Sequence, residues 1–445
     1  MGIESDFKTF INNLSPDKIK EMETTVGEIA KKLNKNYYNL DADNESNIYI
    51  VGSVGRGTSI KGVSDLDIIF DLPSDKYKQY DDYSGNGQSA LLQEVKKVLK
   101  EKYTNTDISG DGQVVVINFK KYTVELVPGF KQSDDRFKYP DTNNGGSWKY
   151  TDPLSEISES NKTANDTDNN FIYIANMLRA WKNKQGFKFG GLLIDTLTYK
   201  FLNENDNYKN IDFNDYLDMT KDLFYFLKSL NKEQSYWYAL GSNQKVYNCD
   251  NGKFITKAKN SHKKIQDLTE ESSNLNKELR KIFGSKFPKK QKEENRAFSE
   301  SHFYKGYSDT EEFIEDIFPV DIKYDLDLDC TITQDGFRPT LLSRLLKDKM
   351  YLKKKKHLEF YISKTDFDFT TYDYEIYWKV KNVGKVAKEK NCIRGQVVKT
   401  NLKKQIEVTS FIGEHFVECY IVKNGVCVAK GHIDVPISNY EYIMA

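Results

Sequence analysis

The sequence predicts an α+β protein in three parts: a small α/β domain on a mostly antiparallel or mixed sheet over residues 1–160, a helical domain over 161–300 and a β-rich sandwich over 315–445. Three observations carry this reading. Helix-like and strand-like segments alternate through the first part; from about Asn165 apolar residues recur at three- and four-residue spacing; in the last part the period falls to two. A chain of 445 residues is long enough for each part to bury its own core.

In the first part, Ile19, Met22, Val26, Ile29 and Leu33 form one apolar stripe. Ser15-Pro16 ahead of them predicts a helix start, with serine as cap and proline in the first turn. A strand over 47–51 then delivers a glycine-rich turn, and 61–71 predicts a second strand. Residues 88–103 are amphipathic through Leu91, Leu92, Val95, Val98 and Leu99, and 113–119 and 122–128 read as a hairpin turning at Lys120-Lys121. In the second part Phe171, Ile174, Ala175, Leu178 and Trp181 share a helix face, followed by helical segments over 192–202 and 213–230. The polar, basic stretch 285–296 predicts a linker. In the third part Tyr372, Tyr374, Ile376, Trp378 and Val380 alternate with polar residues, and Asn424-Gly425 predicts a tight hairpin between 417–422 and 426–429.

The chemistry is concentrated in Val51-Gly52-Ser53-Val54-Gly55-Arg56-Gly57-Thr58 and Ser64-Asp65-Leu66-Asp67. Glycine lets a backbone approach an anion closely, and Ser53 adds a hydroxyl. Side chains alternate along a strand, so Asp65 and Asp67 share a face while Leu66, Ile68 and Phe70 turn to a core. Paired carboxylates suit Mg²⁺ or Mn²⁺, and the combination points to nucleotidyl transfer: the turn holds a triphosphate tail and the acids hold metal. A third carboxylate is then expected on a neighbouring strand. Glu125 is the candidate, against the alternative of an exposed glutamate on the polar face.

These residues, with Val124-Glu125-Leu126-Val127-Pro128-Gly129-Phe130, resemble the active-site signature of the bacterial CD-NTases, the cGAS/DncV-like nucleotidyltransferases. The third acid of that family is commonly aspartate; here it is Glu125. The resemblance implies a polymerase-β-like catalytic palm with Asp65, Asp67 and Glu125 as catalytic metal ligands and Gly52 and Ser53 on the nucleotide. Leu178-Arg179-Ala180-Trp181-Lys182 and Gly191-Leu192-Leu193-Ile194-Asp195-Thr196-Leu197 resemble the helices of the poly(A)-polymerase/oligoadenylate-synthetase domain, where a lysine matched by Lys182 contacts phosphates. Read from composition alone, Lys182 is equally a solvated lysine. Asp195 stands where a glutamate is usual and is expected to support helix packing.

From about residue 320 onward, 377–384, 391–396 and 413–420 resemble the adenylyl/guanylyl cyclase and SMODS C-terminal sensor, which implies a nucleotide or oligonucleotide ligand. Arg394, His415 and Trp378 are candidates for a ligand pocket, against a reading in which Trp378 is core and Arg394 pairs with a carboxylate. The run Lys353-Lys354-Lys355-Lys356 is either a patch for an acidic ligand or a solvated strand approach.

Charge is balanced, with 66 basic and 66 acidic residues, so no extended nucleic-acid surface and no membrane association is expected. Five cysteines without a C-x-x-C pair read as reduced thiols of a cytoplasmic protein. The function expected is synthesis of a cyclic or short linear oligonucleotide messenger from nucleoside triphosphates, ATP among them, in antiphage defence. Alternatives are a same-fold enzyme acting on RNA, tRNA or a small molecule, and a non-catalytic nucleotide-binding regulator.

Overall fold

The structure, a computed structural model, describes residues 2–289, 311–334, 336, 338–370, 373–383, 385–389, 392–410 and 412–440. The expected linker lies outside the described residues from 290 onward, as does Tyr372. The chain divides into two compact units, one of residues 7–180 and 190–255, the other of 1–6, 181–189 and 256–445.

The chain opens with α1 (Ile3–Leu14), α2 (Ile19–Tyr38), β1 (Ile48–Ile50), the single turn α3 (Gly52–Gly55) and β2 (Asp65–Asp71). It continues with α4 (Ser74–Asp81), α5 (Gly87–Lys102), β3 (Asp107–Asp111), β4 (Val114–Asn118), β5 (Thr123–Lys131), β6 (Phe137–Asp141) and β7 (Ser147–Thr151). One seven-stranded sheet results, ordered β1-β2-β5-β4-β3, with β6 added to β5 and β7 to β6. Only β2 and β5 run parallel among its pairs, so of the two expected arrangements the sheet is the mixed one, antiparallel everywhere else. Leu66, Ile68, Val124 and Leu126 from the two parallel strands pack on Leu91, Val95 and Leu99 of α5 and Met22, Ile29 and Leu33 of α2. Asn86 caps α5, its side chain accepting from the Ser89 N–H at 2.9 Å.

Ser15 is not the cap of α2. That helix begins at Ile19 after Lys18, without a side-chain cap. Ser15-Pro16 instead closes α1, whose buried Phe7, Phe10, Ile11 and Leu14 recur at helical spacing. A proline just past a helix end stops it as readily as one just inside begins another.

Helices follow: α6 (Pro153–Asp166), α7 (Asn170–Gln185), α8 (Gly191–Glu204) and α9 (Tyr216–Ser229). After the short pair β8 (Tyr236–Tyr238) and β9 (Lys245–Tyr247) come α10 (Lys253–Ile265) and α11 (Leu275–Phe283). Among the described residues no helix is long and apolar enough to cross a membrane.

The second unit carries β10 (Val320–Tyr324), β11 (Leu326–Thr333), β12 (Thr340–Leu341), β13 (His357–Thr365), β14 (Glu375–Lys381), β15 (Arg394–Lys399), β16 (Lys404–Val408), β17 (Gly413–Lys423) and β18 (Val426–Ile437). They form a five-stranded sheet, β10-β18-β17-β14-β15, and a four-stranded one, β12-β11-β13-β16. All pairs are antiparallel except β10 with β18. Leu328, Cys330 and Phe360 meet Ile376, Trp378, Cys419 and Ile421 in the core between the sheets. The hairpin at Asn424-Gly425 has φ of 51° and 75° at those two residues, the left-handed pair that matches strand twist.

The alternation in β14 holds on one face only. Lys379 and Lys381, polar positions that the period of two assigns to solvent, are buried. Glu311 bridges them, at 2.8 Å from Lys379 and 3.0 Å from Lys381. On the same sheet Glu418 pairs with Lys430 at 3.0 Å and accepts from the Tyr420 hydroxyl at 2.6 Å. Buried charges that are paired and hydrogen-bonded can stay inside; unpaired they could not.

Candidate active site

β1 ends against β2, and the Val51 N–H donates to the Asp67 carbonyl at 2.9 Å. The chain then turns through α3, closed by Gly55 N–H to Val51 O at 3.0 Å and Thr58 N–H to Ser53 O at 2.9 Å. Two glycines are forced by close approach. Gly52 has φ +62°, and a Cβ there would lie 1.8 Å from Oδ2 of Asp67; one on Gly55 would lie 2.5 Å from the Ile50 carbonyl. Gly52→Ala is therefore expected to cost about 1–3 kcal/mol through backbone strain and to displace the Asp67 carboxylate. A lowered urea midpoint together with lost turnover checks it.

The acids sit on the strands beside this turn. Asp65 and Asp67 alternate with Leu66 and Ile68, which are fully buried, so the carboxylates share the half-buried face of β2. In the parallel register Asp67 stands opposite Glu125 and Asp65 opposite Thr123. Paired strands lie about 4.8 Å apart, so Glu125 is the immediate cross-strand neighbour of Asp67 on that face. Ser64 Oγ donates to Asp65 Oδ2 at 3.2 Å. Among the described residues no group of three His, Cys, Asp or Glu side chains is gathered tightly enough to hold a metal ion. Asp67 and Glu125 are neighbours by backbone register. Their donors, all carboxylate oxygens, fit a hard divalent ion.

Behind the turn lies a buried charge network whose members Arg56, Thr58 and Arg179 stand in the motifs quoted above, with a structural role expected of Asp195 alone, as packing. Asp195 on α8, with no exposed surface, accepts from Arg56 Nε at 2.8 Å, Thr58 Oγ1 at 2.9 Å and Arg179 of α7 at 2.7 and 3.0 Å. Arg56 also reaches Glu156 of α6 at 3.3 Å, and its carbonyl accepts from Ser160 Oγ at 2.7 Å. The segment following the glycine turn is thus bolted to three helices. Burial alone would raise the Asp195 carboxyl, but the guanidiniums of Arg179 and Arg56 more than offset it and hold it below the usual carboxylate range. For Glu156 the balance reverses: burial pushes its carboxyl up to about 7 against the pull of Arg56. The signal was present in the motif, since Arg56 stands between Gly55 and Gly57 and Thr58 follows directly.

The Glu156 carboxyl binds its proton more tightly folded than unfolded, where it has its ordinary value of 4.5. Its stabilising effect is complete below 4.5 and is lost as pH rises toward about 7. Glu156→Gln, which keeps a carbonyl acceptor for Arg56 and can donate its amide N–H to Ser242 Oγ, should gain on the parent protein by up to about 1.4 kcal/mol per pH unit through that window and level off above it. Paired thermal melts across pH 4 to 8 check the slope.

In the first unit Gly52 lies against the Asp67 carboxylate, Glu125 is the cross-strand neighbour of Asp67, and Ser53 follows Gly52 in α3. Lys182 belongs to the second unit, near the end of α7, where its ammonium is buried and lies 2.9 Å from Asp321 Oδ1. Asn183 beside it exchanges bonds with β10, donating to Val320 O at 2.7 Å and accepting from the Ile322 N–H at 3.2 Å. In the sandwich, Trp378 is core, its indole donating to Leu402 O at 2.8 Å, and Arg394 forms a bidentate pair with Glu407 at 2.6 and 2.9 Å.

Residues 1–165 match the family model described as the Second Messenger Oligonucleotide or Dinucleotide Synthetase domain, and 308–438 match the Adenylyl/Guanylyl and SMODS C-terminal sensor domain. No curated protein matches the chain. Among solved structures it is similar to E. coli MS115-1 CdnC with ATP, at 16% identity and TM-score 0.50, over 65% of this chain and 99% of that one. The same E. coli CdnC in complex with HORMA-deltaN aligns at 16% identity and TM-score 0.50, over 64% and 98%. At such identity the likeness speaks for the fold, and the two domain models supply the rest. The chain belongs to the bacterial CD-NTases, nucleotidyltransferases that make nucleotide second messengers, and carries the C-terminal sensor domain behind its synthetase domain.

Proposed function

We propose that this protein joins nucleoside triphosphates, ATP among them, into a cyclic or short linear oligonucleotide at the Asp65, Asp67 and Glu125 face, and that the product serves antiphage defence. The observation that carries the reading is the register that seats Glu125 beside Asp67 while Gly52 lies against the Asp67 carboxylate. In this reading residues 1–160 are the catalytic domain, 161–300 the helical substrate-binding domain and 315–445 a sensor that takes a nucleotide or oligonucleotide. The protein works in the cytoplasm.

Asp65, Asp67 and Glu125 hold divalent metal, Mg²⁺ or Mn²⁺, which when bound lowers the pKa of the acceptor hydroxyl and neutralises phosphate charge. Gly52 and Ser53 cradle the β- and γ-phosphates, positioning the α-phosphorus. The acceptor oxygen bonds to that phosphorus as the bond to the bridging oxygen breaks, and pyrophosphate leaves. Lys182 serves as a phosphate contact only by giving up Asp321, so its part is the weakest of the set.

Incubation of the purified protein with all four nucleoside triphosphates and Mg²⁺ or Mn²⁺, followed by mass spectrometry, tests the reading. A small phosphatase-resistant product supports a cyclic messenger. Transfer only when RNA, tRNA or a small acceptor is added would move the function to that class. Pyrophosphate release under no condition would make the chain a binding regulator.

A further inference from the structure

Two motifs that the catalytic reading leaves aside meet at one end of the sandwich. A cavity of about 320 Å³ opens there between the sheets. Leu358 and Phe360 of β13 and Val417 of β17 line it, and Arg394, Glu407 and Thr409 stand among its polar lining. His415 also lines it, nearly buried, with Nδ1 accepting from the Val383 N–H at 3.1 Å. The lysine run joins the same place through Thr409, which is 2% exposed. Lys355 N–H donates to the Thr409 carbonyl at 2.8 Å, Lys356 N–H to Thr409 Oγ1 at 2.8 Å, and Thr409 Oγ1 to Lys353 O at 3.0 Å.

Both approaches are conformationally costly. Arg394 has φ +56° and Lys355 φ +60°, the left-handed region that residues other than glycine seldom adopt, and such outliers gather where a site is built. The Arg394–Glu407 pair neutralises itself, so the interior offers apolar walls and a hydrogen-bonding edge without net charge. Outside, the exposed Lys354 and Lys355 have no ion-pair partner among the described residues. An uncharged interior beside two free ammonium groups matches a ligand with a planar heteroaromatic body and an anionic tail.

We propose that this end of the sandwich is a nucleotide site, the base entering the cavity between Phe360 and Val417 and the phosphate resting on Lys354 and Lys355. The inference rests on reading the C-terminal domain as a nucleotide sensor and adds where and how it binds. Free mononucleotides and oligonucleotides share this chemistry, so both serve as probes.

The test is hydrogen–deuterium exchange of the full chain carrying Asp65→Asn and Asp67→Asn to prevent turnover, with ATP in one arm and a 3′–5′ diadenylate in the other. In at least one arm the amides of 353–360 and 394–410 should slow. Ser410→Trp, an exposed position at the cavity, should remove that protection. Lys354→Gln with Lys355→Gln should weaken binding roughly tenfold at low salt and less at high salt. Protection that survives both variants, or that falls elsewhere in 311–440, overturns the cavity assignment and leaves the sensor reading standing. No protection anywhere in 311–440 with either probe overturns both.

Discussion

Asp65→Asn combined with Asp67→Asn is expected to lower nucleotide transfer by on the order of a thousandfold or more, because the charge that holds metal and neutralises the reacting phosphate is removed at its centre. The fold should not suffer. The two carboxylates lie on a half-buried face with Glu125 opposite Asp67, where like charges repel, and asparagine keeps the shape without the charge. The melting temperature should hold or rise by about 2 °C, as for sites where function is maintained at some expense of stability. Product quantitation beside a thermal melt separates the two effects. Turnover near that of the parent would refute the assignment of these acids.

Asp195→Ala is expected to do the reverse, striking stability first. The carboxylate is fully buried and is the shared acceptor of Arg56, Thr58 and Arg179. Its removal leaves the buried Arg179 guanidinium without its counter-ion and Arg56 with Glu156 alone, at a cost of about 3–5 kcal/mol. Asp195→Asn retains one carbonyl acceptor and should lose less. The folded pKa of Asp195 is depressed, so its contribution is present above the unfolded carboxylate pKa and fades as pH falls through the folded one. Parent and variant should therefore converge in strong acid. Urea titrations at neutral and acid pH measure both statements; a loss below about 1 kcal/mol at neutral pH would show that the helices hold the turn by other means.

What the chain discloses by itself follows the range of the interactions. The turn, the acids of β2 and the helical stripes are local patterns, and they stand where periodicity predicts. Glu125 was reachable because a strand carrying a carboxylate amid apolar residues needs a reason. The reading failed where one sequence pattern serves two structures or where a distant segment reverses an environment. Ser15-Pro16 ends α1 and does not begin α2. Lys379 and Lys381 look solvated until Glu311, 68 residues from Lys379, comes to lie over them. The role of Asp195 was foreseen as packing, yet its partners Arg56 and Thr58 lie 139 and 137 residues away.

That last separation bears on how the protein is made. When the synthetase-domain segment, residues 1–165, has left the ribosome, Arg56 and Thr58 still lack their acceptor, which is translated later. The glycine turn can be tied to Asp195 only after α8 has emerged. A fragment cut at the family boundary would accordingly keep Arg56 beside Glu156 but leave the turn without the buried acceptor that ties it to α8.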